Sequence, residues 1–520
     1  MTNNCYSHFE LERNINMSYR TVVKEIDYSG FTKPLVNENG AMVLIAPKGT
    51  KTPKFIQSEK DVLREYGSPS ALYPDIFELI AYTRQAPCWT SCAVHTDALY
   101  GGIDVELSGV VTFGTGRDID TFDFASYPLV SHAFFTTSPY ADDLAGKVTY
   151  VSGSRFNLSL YKVKGTGYQS VSDYTYSLIR EKDNFGASLY IFDVFDNDAY
   201  VIPKVNTNFV GTSYALSGVV VNFSGGTRGS TPDSADILAA WNNFQYANKY
   251  PIRTFIDTRG DSTFTINTLI QTYQPYAQGI SAIPLGKTAA QAITYRQGLG
   301  LDTDDVGLYT NWQKIKDPYN NSFAWISGMG SVAKKYAAMS DVYDAASPAG
   351  IDENGHGGQL SDWEAIEVEN DYTDSELQSL DDAQINPIIK DDTYGLEIMG
   401  DRTLQVSLSD TSYIGTRRVY KIIIEQIVKQ VLRLQEFKVN DRIHRLMAKT
   451  KTDAILSPIA TDGWIRMFKT VCDESNNTNA VLDQRKFIIT VYVQITPNSQ
   501  VVELQFTRLG QNITIEMLNA

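Results

Sequence analysis

The chain has few residues of the kinds that cross-link, anchor or catalyse. Cys5, Cys88, Cys92 and Cys472 are the four cysteines in 520 residues, too few and too dispersed for a disulfide framework. No run reaches the roughly 18 apolar residues that a membrane helix needs, and no apolar leader precedes a small-residue cleavage site. We therefore predict a soluble protein without direct membrane insertion, made in a reducing cytoplasm.

Signatures of catalysis and of metal binding are also missing. The five histidines lie far apart in the sequence, and none belongs to an HExxH motif, the spacing that places two zinc ligands on one helix face. No GxSxG element offers a serine nucleophile. We therefore predict no enzyme activity, no catalytic residue, no metal and no cofactor.

Two glycine-containing turns resemble nucleotide-binding loops. Gly286–Thr288 follows a predicted strand and leads into a helix, but Ser281 stands where a phosphate-binding loop has its first glycine. "WISGMGSVAKKY" places Gly328, Gly330 and Ala333 like part of a dinucleotide fingerprint, but at the end of a domain rather than at its start. For both turns we favour an ordinary strand-to-helix connection whose small residues allow close packing.

Changes in hydrophobic pattern along the chain predict an α+β multidomain protein. Short alternating runs between Ile103 and Phe223 are typical of β-structure, helical and strand-like runs alternate after Ser234, and Ile351–Asp392 carries 13 acids against one lysine. The predicted parts are an N-terminal segment at 1–24, an α/β part at 25–101, a β-domain at 102–224, an α/β middle layer at 225–399 with an acidic connector at 351–392, and an α+β C-terminal domain at 400–520.

Positive charge is concentrated near the end of this acidic chain. The formal net charge is −15, yet Ile414–Thr470 carries twelve Lys and Arg against five acids. The most basic stretch, "GTRRVYKIIIEQIVKQVLRLQEFKVNDRIHRLMAKTK", predicts an amphipathic helix. Its apolar face would contain Ile423, Ile424, Ile427, Val431 and Leu434. The opposite face would carry a cationic stripe, which consists of Arg418, Lys421, Lys429 and Arg433 with Glu425 among them.

A cationic stripe can bind nucleic acid, an anionic membrane or an acidic protein. The large negative charge of the remaining chain would repel phosphates, and no nucleic-acid-binding motif is present. The helix lacks a Trp or Phe face for membrane insertion. An acidic protein is therefore the favoured partner, and a solvated face of a structural helix is the alternative.

At this point the sequence resembles a known family, the contractile tail sheath proteins of myovirus-type bacteriophages and related contractile injection systems. The resemblance is carried by "APKGTKTPKFIQSEKDVLREYG", the following "YPDIFELIAYTRQ", "GMGSVAKKYAAMSDVYDAASPAG" and the basic stretch near the end. It covers nearly all of the chain outside the β-domain, and it depends on the order of these segments more than on any one motif.

The resemblance implies a structural subunit in a helical homo-oligomer around a tail tube, with baseplate and tail terminator proteins as further partners. Segment 1–24 would be an N-terminal arm, the β-domain an outward insertion, and the C-terminal domain the innermost part. The cationic stripe, Arg418, Lys421, Lys429 and Arg433, would face the tube. Contraction of the sheath would drive the tube through the host envelope, in a virion tail assembled in the host cytoplasm.

The resemblance also implies that a terminal strand joins neighbouring subunits. "VVELQFTRLGQNITIEM" alternates as a donor strand should, with Val501, Val502, Leu504 and Phe506 as its candidate pairing residues. Two alternatives stay open: an α/β nucleotide-dependent enzyme built around Gly286–Thr288, and a virion baseplate or adhesin component built on the tyrosine-rich β-domain.

Overall fold

The computed structural model of the chain describes residues 38–496, except 140–142, 197, 212, 217, 342–346 and 352–356. The predicted N-terminal arm at 1–24 and the predicted donor strand, with Val501, Val502, Leu504 and Phe506, lie outside the described residues.

Strands are numbered in chain order. The first eleven are β1 (Gly40–Leu44), β2 (Lys54–Ile56), β3 (Cys88–Cys92), β4 (Gly102–Glu106), β5 (Val110–Thr112), β6 (Val130–Thr136), β7 (Leu144–Ser152), β8 (Arg155–Lys164), β9 (Gly167–Ser177), β10 (Val201–Val205) and β11 (Val221–Asn222). The others are β12 (Thr254–Asp257), β13 (Gln278–Ala282), β14 (Val306–Thr310), β15 (Gln313–Asp317), β16 (Ser322–Ile326), β17 (Gln359–Leu360), β18 (Ala365–Val368), β19 (Ile385–Asp391), β20 (Gly395–Ile398), β21 (Ile465–Val471) and β22 (Thr490–Ile495).

The helices are α1 (Glu59–Tyr66), α2 (Asp75–Thr83), α3 (Ile191–Val194), α4 (Ser234–Asn242), α5 (Thr263–Tyr273), α6 (Ala289–Gly298), α7 (Met329–Asp341), α8 (Asp374–Asp382), α9 (Ile414–Gln430), α10 (Arg442–Thr461) and α11 (Asn479–Asp483). Ser58 caps α1 by accepting a hydrogen bond from the Asp61 amide, the amide three residues on that an N-cap side chain typically reaches. In the described part of the chain, no helix combines the length and the apolar character that crossing a membrane requires.

A nine-stranded sheet forms the centre of the molecule, in the order β17-β20-β19-β14-β13-β12-β1-β3-β2. Six neighbouring strands of this sheet, β19, β14, β13, β12, β1 and β3, run parallel to one another. In β1, Met42 and Leu44 point into the core beneath α2 and α7, while Ala41 and Val43 point into the core beneath α4, α5 and α6. Because both faces are covered by helices, every residue of β1 is buried.

Segments 25–101 and 225–399 therefore contribute to one sheet, since β1 pairs with both β3 and β12.

The predicted acidic connector at 351–392 also differs from the structure. Its described part contains β17, β18, α8 and β19, and β19 lies inside the central sheet. Leu380, Ile385 and Ile388 are buried, so its apolar residues, not its acids, decide where the segment packs.

Between Gly102 and Asn222 the chain forms two four-stranded sheets, β10-β6-β4-β5 and β11-β7-β8-β9. They enclose an aromatic core of their own, in which Phe134, Phe156 and Tyr176 are fully buried. The mixed α+β class is thus confirmed, while the predicted domain boundaries stay a prediction.

The C-terminal part packs α9 and α10 against the hairpin of β21 and β22. The basic stretch, which was predicted to form one amphipathic helix, forms two helices. The first, α9, ends at Gln430, and the second, α10, begins at Arg442. Phe437 has a φ of 60°, which interrupts a right-handed helix. Asp441 then caps α10 by accepting a hydrogen bond from the His444 amide at 2.8 Å.

Candidate partner-binding surface

The cationic stripe predicted on α9 is only partly a surface. Arg418 and Lys421 are 7% and 3% exposed, so the prediction that these two face a partner is wrong. The reason is the position of α9, since the residues that Lys421 contacts, Ala277 and Asp305, immediately precede β13 and β14. Both side chains therefore reach inward, and they bind groups of their own subunit.

Lys421 forms an ion pair with Asp305, with 2.7 Å between Nζ and Oδ1, and donates to the carbonyl oxygen of Ala277. Burial lowers the pKa of Lys421 to about 8, although Asp305 acts in the opposite direction. Arg418 donates to the carbonyl oxygen of Tyr336 and lies 4.7 Å from the centre of its ring. These two cations therefore fix α9 to the body of the subunit.

Lys429 and Arg433 are exposed, as predicted. Lys429 forms an ion pair with Glu425 at 2.5 Å, and Glu425 also binds Arg253 at 2.6 Å. Lys429 and Arg433 line one side of a cavity of about 270 Å³, and Arg253 with Tyr276 lines the other. Of the four predicted tube-facing residues, these two can contact a partner.

An exposed apolar surface follows α9, and it was not predicted from the sequence. We call it the apolar ridge; it consists of Phe437, Val439, Ile443, Leu446 and Met447, all at least half exposed. The signal was present in the sequence, because α10 carries apolar residues on two opposite faces. A surface helix that needs only to pack inward has one such face.

The hairpin of β21 and β22 is the candidate acceptor for an added strand. Its two strands pair with each other, and within the described residues neither pairs with a third strand. Exposed strand edges carry unpaired backbone groups that can bind another strand. The proposed donor residues lie outside the described residues, so their pairing stays a prediction.

The turn at Gly286–Thr288 does not present an open phosphate site. The amides of Gly286 and Lys287 donate to the Glu369 carboxylate, the latter at 3.1 Å. Gly286 and Lys287 lie in the loop just before α6, and amides of such a loop are among the groups that would bind a phosphate. Here the chain's own carboxylate occupies them, and burial raises the pKa of Glu369 although these amides act in the opposite direction.

The turn before α7 is filled in the same way. Glu78 accepts hydrogen bonds from the amides of Gly328 and Gly330, at 2.6 and 2.8 Å, and from the Ser327 hydroxyl at 2.9 Å. A Cβ added to Gly330 would collide with the backbone of Glu78, so this glycine allows α7 to approach α2. Close packing, the interpretation favoured from the sequence, therefore explains the glycines of "WISGMGSVAKKY". The close neighbour of Gly330 is the helix α2.

One histidine has acidic neighbours that the sequence spacing did not indicate. Within the described residues, His95, Asp233 and Asp236 are the only group of three or more His, Cys, Asp or Glu whose potential ligand atoms all lie within 4.8 Å of one another. Asp233 caps α4 through the amides of residues 235 and 236, and Asp97 binds the His95 ring at 2.5 Å. The positive end of α4 disfavours a cation here, so we interpret the group as a helix cap with an ion pair.

Comparison with known proteins confirms the resemblance to tail sheath proteins. The chain is 22% identical to the tail sheath protein of Enterobacteria phage T4 over 413 aligned residues. This alignment covers 70% of this chain and 62% of that protein. It is 26% identical over 220 residues to the tail sheath protein of Vibrio phage KVP40, covering 42% of this chain and 31% of that protein. The chain thus spans less than two thirds of either relative. No family model matches it.

Solved sheath structures share the fold. The crystal structure of a sheath tail protein from Listeria innocua superposes with a TM-score of 0.53 at 11% identity, covering 89% of this chain and 96% of that one. The sheath complex of PVC, an extracellular contractile injection system in its contracted state, gives a TM-score of 0.52 at 12% identity, covering 97% and 100%. The similarity therefore extends over nearly the whole chain.

Proposed function

We propose that this chain is the structural subunit of a contractile tail sheath. The observation that carries the proposal is a sheath fold over 89–97% of the chain, joined to sequence similarity with two curated tail sheath proteins. The two filled glycine turns support a structural subunit over a nucleotide-dependent enzyme, because a nucleotide would have to displace Glu78 or Glu369 from the amides that these carboxylates occupy.

In the proposed assembly, copies of the chain form a helical sheath around a tail tube, between a baseplate and a tail terminator. The sheath contracts and drives the tube through the host envelope. Subunits would move as rigid bodies into a more closely packed arrangement. No nucleotide would be consumed, since the energy is stored in the extended arrangement when it assembles.

Contact with the tube would include Lys429 and Arg433. Both are exposed cations on the side of the C-terminal part where α9 ends. Exposed ion pairs are individually worth about 0–1 kcal/mol, so many weak contacts could hold an extended sheath and be released in succession. Arg418 and Lys421 are left out of this contact because they bind their own subunit.

Neighbouring subunits would be joined by strand addition to the hairpin of β21 and β22. The donor would be the segment with Val501, Val502, Leu504 and Phe506. It would pair through backbone hydrogen bonds, which would hold while neighbouring subunits tilt as rigid bodies. Deleting residues 501–520 should then leave a folded monomer that does not polymerise. Efficient polymerisation of the truncated protein would argue against strand addition.

Electron microscopy of the purified protein at high concentration tests the sheath function. We expect long hollow helical polymers, whereas rings or short capped oligomers would favour the baseplate alternative. Reversing Lys429 and Arg433 to Glu should weaken assembly around tubes without preventing tube-free polymers. The matched control is Lys164→Glu, an exposed lysine of the β-domain, which should assemble normally.

A further inference from the structure

A cavity lies where the end of α9 meets the loops that lead into β12 and β13. Its volume is about 270 Å³, a little below the range of roughly 300–1,000 Å³ that is typical of pockets for drug-sized ligands. It therefore suits a smaller molecule. Part of its wall is apolar and consists of Pro251, Ile252, Pro275 and Val428, while the rest of the wall is polar.

Arg253 is the most buried cation in the wall of this cavity. It is 8% exposed, and its Nη1 atom donates to Glu425 at 2.6 Å and to the carbonyl oxygen of Tyr276 at 3.2 Å. Its Nη2 atom is buried and has no hydrogen-bond partner within the described residues. A buried donor without a partner is costly, and an acceptor bound in the cavity would supply the missing partner.

A second polar side chain without a partner lies next to the cavity. Gln278 is 4% exposed, and within the part of the chain that the structure describes neither Oε1 nor Nε2 forms a hydrogen bond. Gln278 lines a recess of about 10 Å³ that shares Arg253 and Tyr276 with the cavity. This volume fits about one water molecule, through which Gln278 can contact a ligand in the cavity.

The charge around the cavity favours an anion. Its charged lining residues are the cations Arg253, Lys429 and Arg433 and the acid Glu425, and Glu425 is shared between Arg253 and Lys429. The carboxyl end of α9 contributes about half a negative charge, which leaves a net charge of about +1.5 around the cavity. A phosphate group carries about −1.5 to −2 at pH 7 and therefore matches this charge.

The chemistry of the cations also indicates a phosphate. The planar guanidinium groups of Arg253 and Arg433 can each donate two parallel hydrogen bonds to the oxygen atoms of a phosphate or a carboxylate. The net charge around the cavity exceeds that of a single carboxylate and favours the phosphate. A nucleic acid would bring many phosphates against a chain of net charge −15, so the ligand is a small molecule.

We propose that this cavity binds the phosphate group of a small molecule, either inorganic phosphate or a phosphomonoester. Arg253 and Arg433 would donate to its oxygen atoms, and Lys429 would contact it beside Glu425. The bound phosphate would connect α9 to the loops that precede β12 and β13. The site shares Lys429 and Arg433 with the tube contact proposed above, but phosphate binding requires neither a tube nor a polymer, so each proposal can fail without the other.

Isothermal titration calorimetry on the full-length protein tests the site. Sodium phosphate and methyl phosphate serve as two separate ligands, and sodium chloride keeps the ionic strength constant. We expect saturable binding, and Arg433→Gln and Arg253→Lys should each weaken it about tenfold or more, since each removes charge-assisted hydrogen bonds. Arg433 is exposed, so its variant tests the site even where the change at buried Arg253 impairs folding. The matched control is Lys164→Gln, which changes an exposed lysine of the β-domain and should bind phosphate like the wild type.

Hydrogen exchange locates the binding and completes the test. Phosphate should slow exchange in the loops 247–253 and 274–276, and slower exchange elsewhere without an effect in these loops would overturn the proposal. A wild-type protein that shows no binding at millimolar phosphate would also overturn it, as would variants that bind as tightly as the wild type. Tighter binding of methyl phosphate would identify a phosphomonoester as the ligand, and tighter binding of inorganic phosphate would identify the free ion; either order, with weaker binding by the variants, supports the proposal.

Discussion

Replacing Glu78 by alanine tests whether an internal carboxylate connects distant parts of the chain. Glu78 lies on α2, is 1% exposed, and accepts from the amides of Gly328 and Gly330 at the start of α7, about 250 residues further along the chain. Alanine keeps the helix but removes the acceptor. Two buried N–H groups and the Ser327 hydroxyl then lose their partner.

The expected cost follows from these three donors. A buried donor left without a partner costs about 1–3 kcal/mol, and the serine hydroxyl can rotate toward another acceptor. Part of the cost is offset, because burial already penalises the charged carboxylate and raises the pKa of Glu78 to about 7. We therefore expect Glu78→Ala to lower the free energy of unfolding by about 2–4 kcal/mol.

The same group predicts the sign of a pH dependence. Its folded pKa of about 7 lies above the ordinary 4.5, so the folded state binds the proton more tightly than the unfolded state. The stability contributed by this group is fully present below pH 4.5 and is lost as the pH rises through 7, by up to about 3 kcal/mol. Glu78→Gln cannot titrate and should remove this part of the slope.

Urea unfolding below and above pH 7, together with hydrogen exchange at the amides of Gly328 and Gly330, measures both effects. Exchange at these amides is informative because a multidomain chain need not unfold in one step. Glu369→Ala is the matched control, since its half-exposed carboxylate fills a similar turn. A loss below about 1 kcal/mol for Glu78→Ala, with unchanged exchange at both amides, would refute the reasoning.

Three further predictions concern other polar contacts. Lys421→Met should lower the free energy of unfolding by about 3 kcal/mol, because Asp305 is left with one less cation in a buried site; a neutral effect on urea unfolding would contradict this. The pKa of His95 should exceed 6.5 by NMR titration, since the hydrogen bond that the His95 ring donates to the Asp97 carboxylate raises it; its stabilising contribution is then complete below pH 6.5 and lost as the pH rises through the folded pKa, and a pKa at or below 6.5 would count against the ion pair. Glu369→Ala should gain thermal stability from sulfate at constant ionic strength, because freed amides bind anions; an equal response of the wild type would argue against it.

Local patterns in the sequence predicted the elements that depend on near neighbours. The alternating β-rich region between Ile103 and Phe223 and the amphipathic helix that became α9 are both local in this sense. The break between α9 and α10 was not predicted, because the segment between them contains no glycine or proline that would indicate the positive φ of Phe437. The position of β19 inside the central sheet was not predicted, because the acidic composition of 351–392 was given more weight than its apolar residues. Three of these, Leu380, Ile385 and Ile388, are buried.

The outcome for the cationic stripe shows what helical periodicity leaves open. Periodicity places Arg418, Lys421, Lys429 and Arg433 on one face, but it does not say how far along the helix that face is covered. The N-terminal half of α9 lies against the residues that precede β13 and β14 and against α7, where Asp305 and the carbonyl oxygens of Ala277 and Tyr336 are available. At its C-terminal end, Lys429 and Arg433 line an open cavity instead. Burial at one end and exposure at the other therefore depend on the tertiary fold.

The two filled turns indicate how an α/β fold can be used for structure instead of ligand binding. In both, amides at or just before the start of a helix point toward a position that an anion could take, and a carboxylate from another part of the chain occupies it. Glu369 lies 83 residues from Gly286, and Glu78 lies about 250 residues from Gly328. A bound nucleotide would tie each turn to a ligand that can leave, whereas a side chain ties it permanently to another element. In the sheath subunit proposed above, which would move as a rigid body, such fixed connections between distant segments would keep the subunit intact.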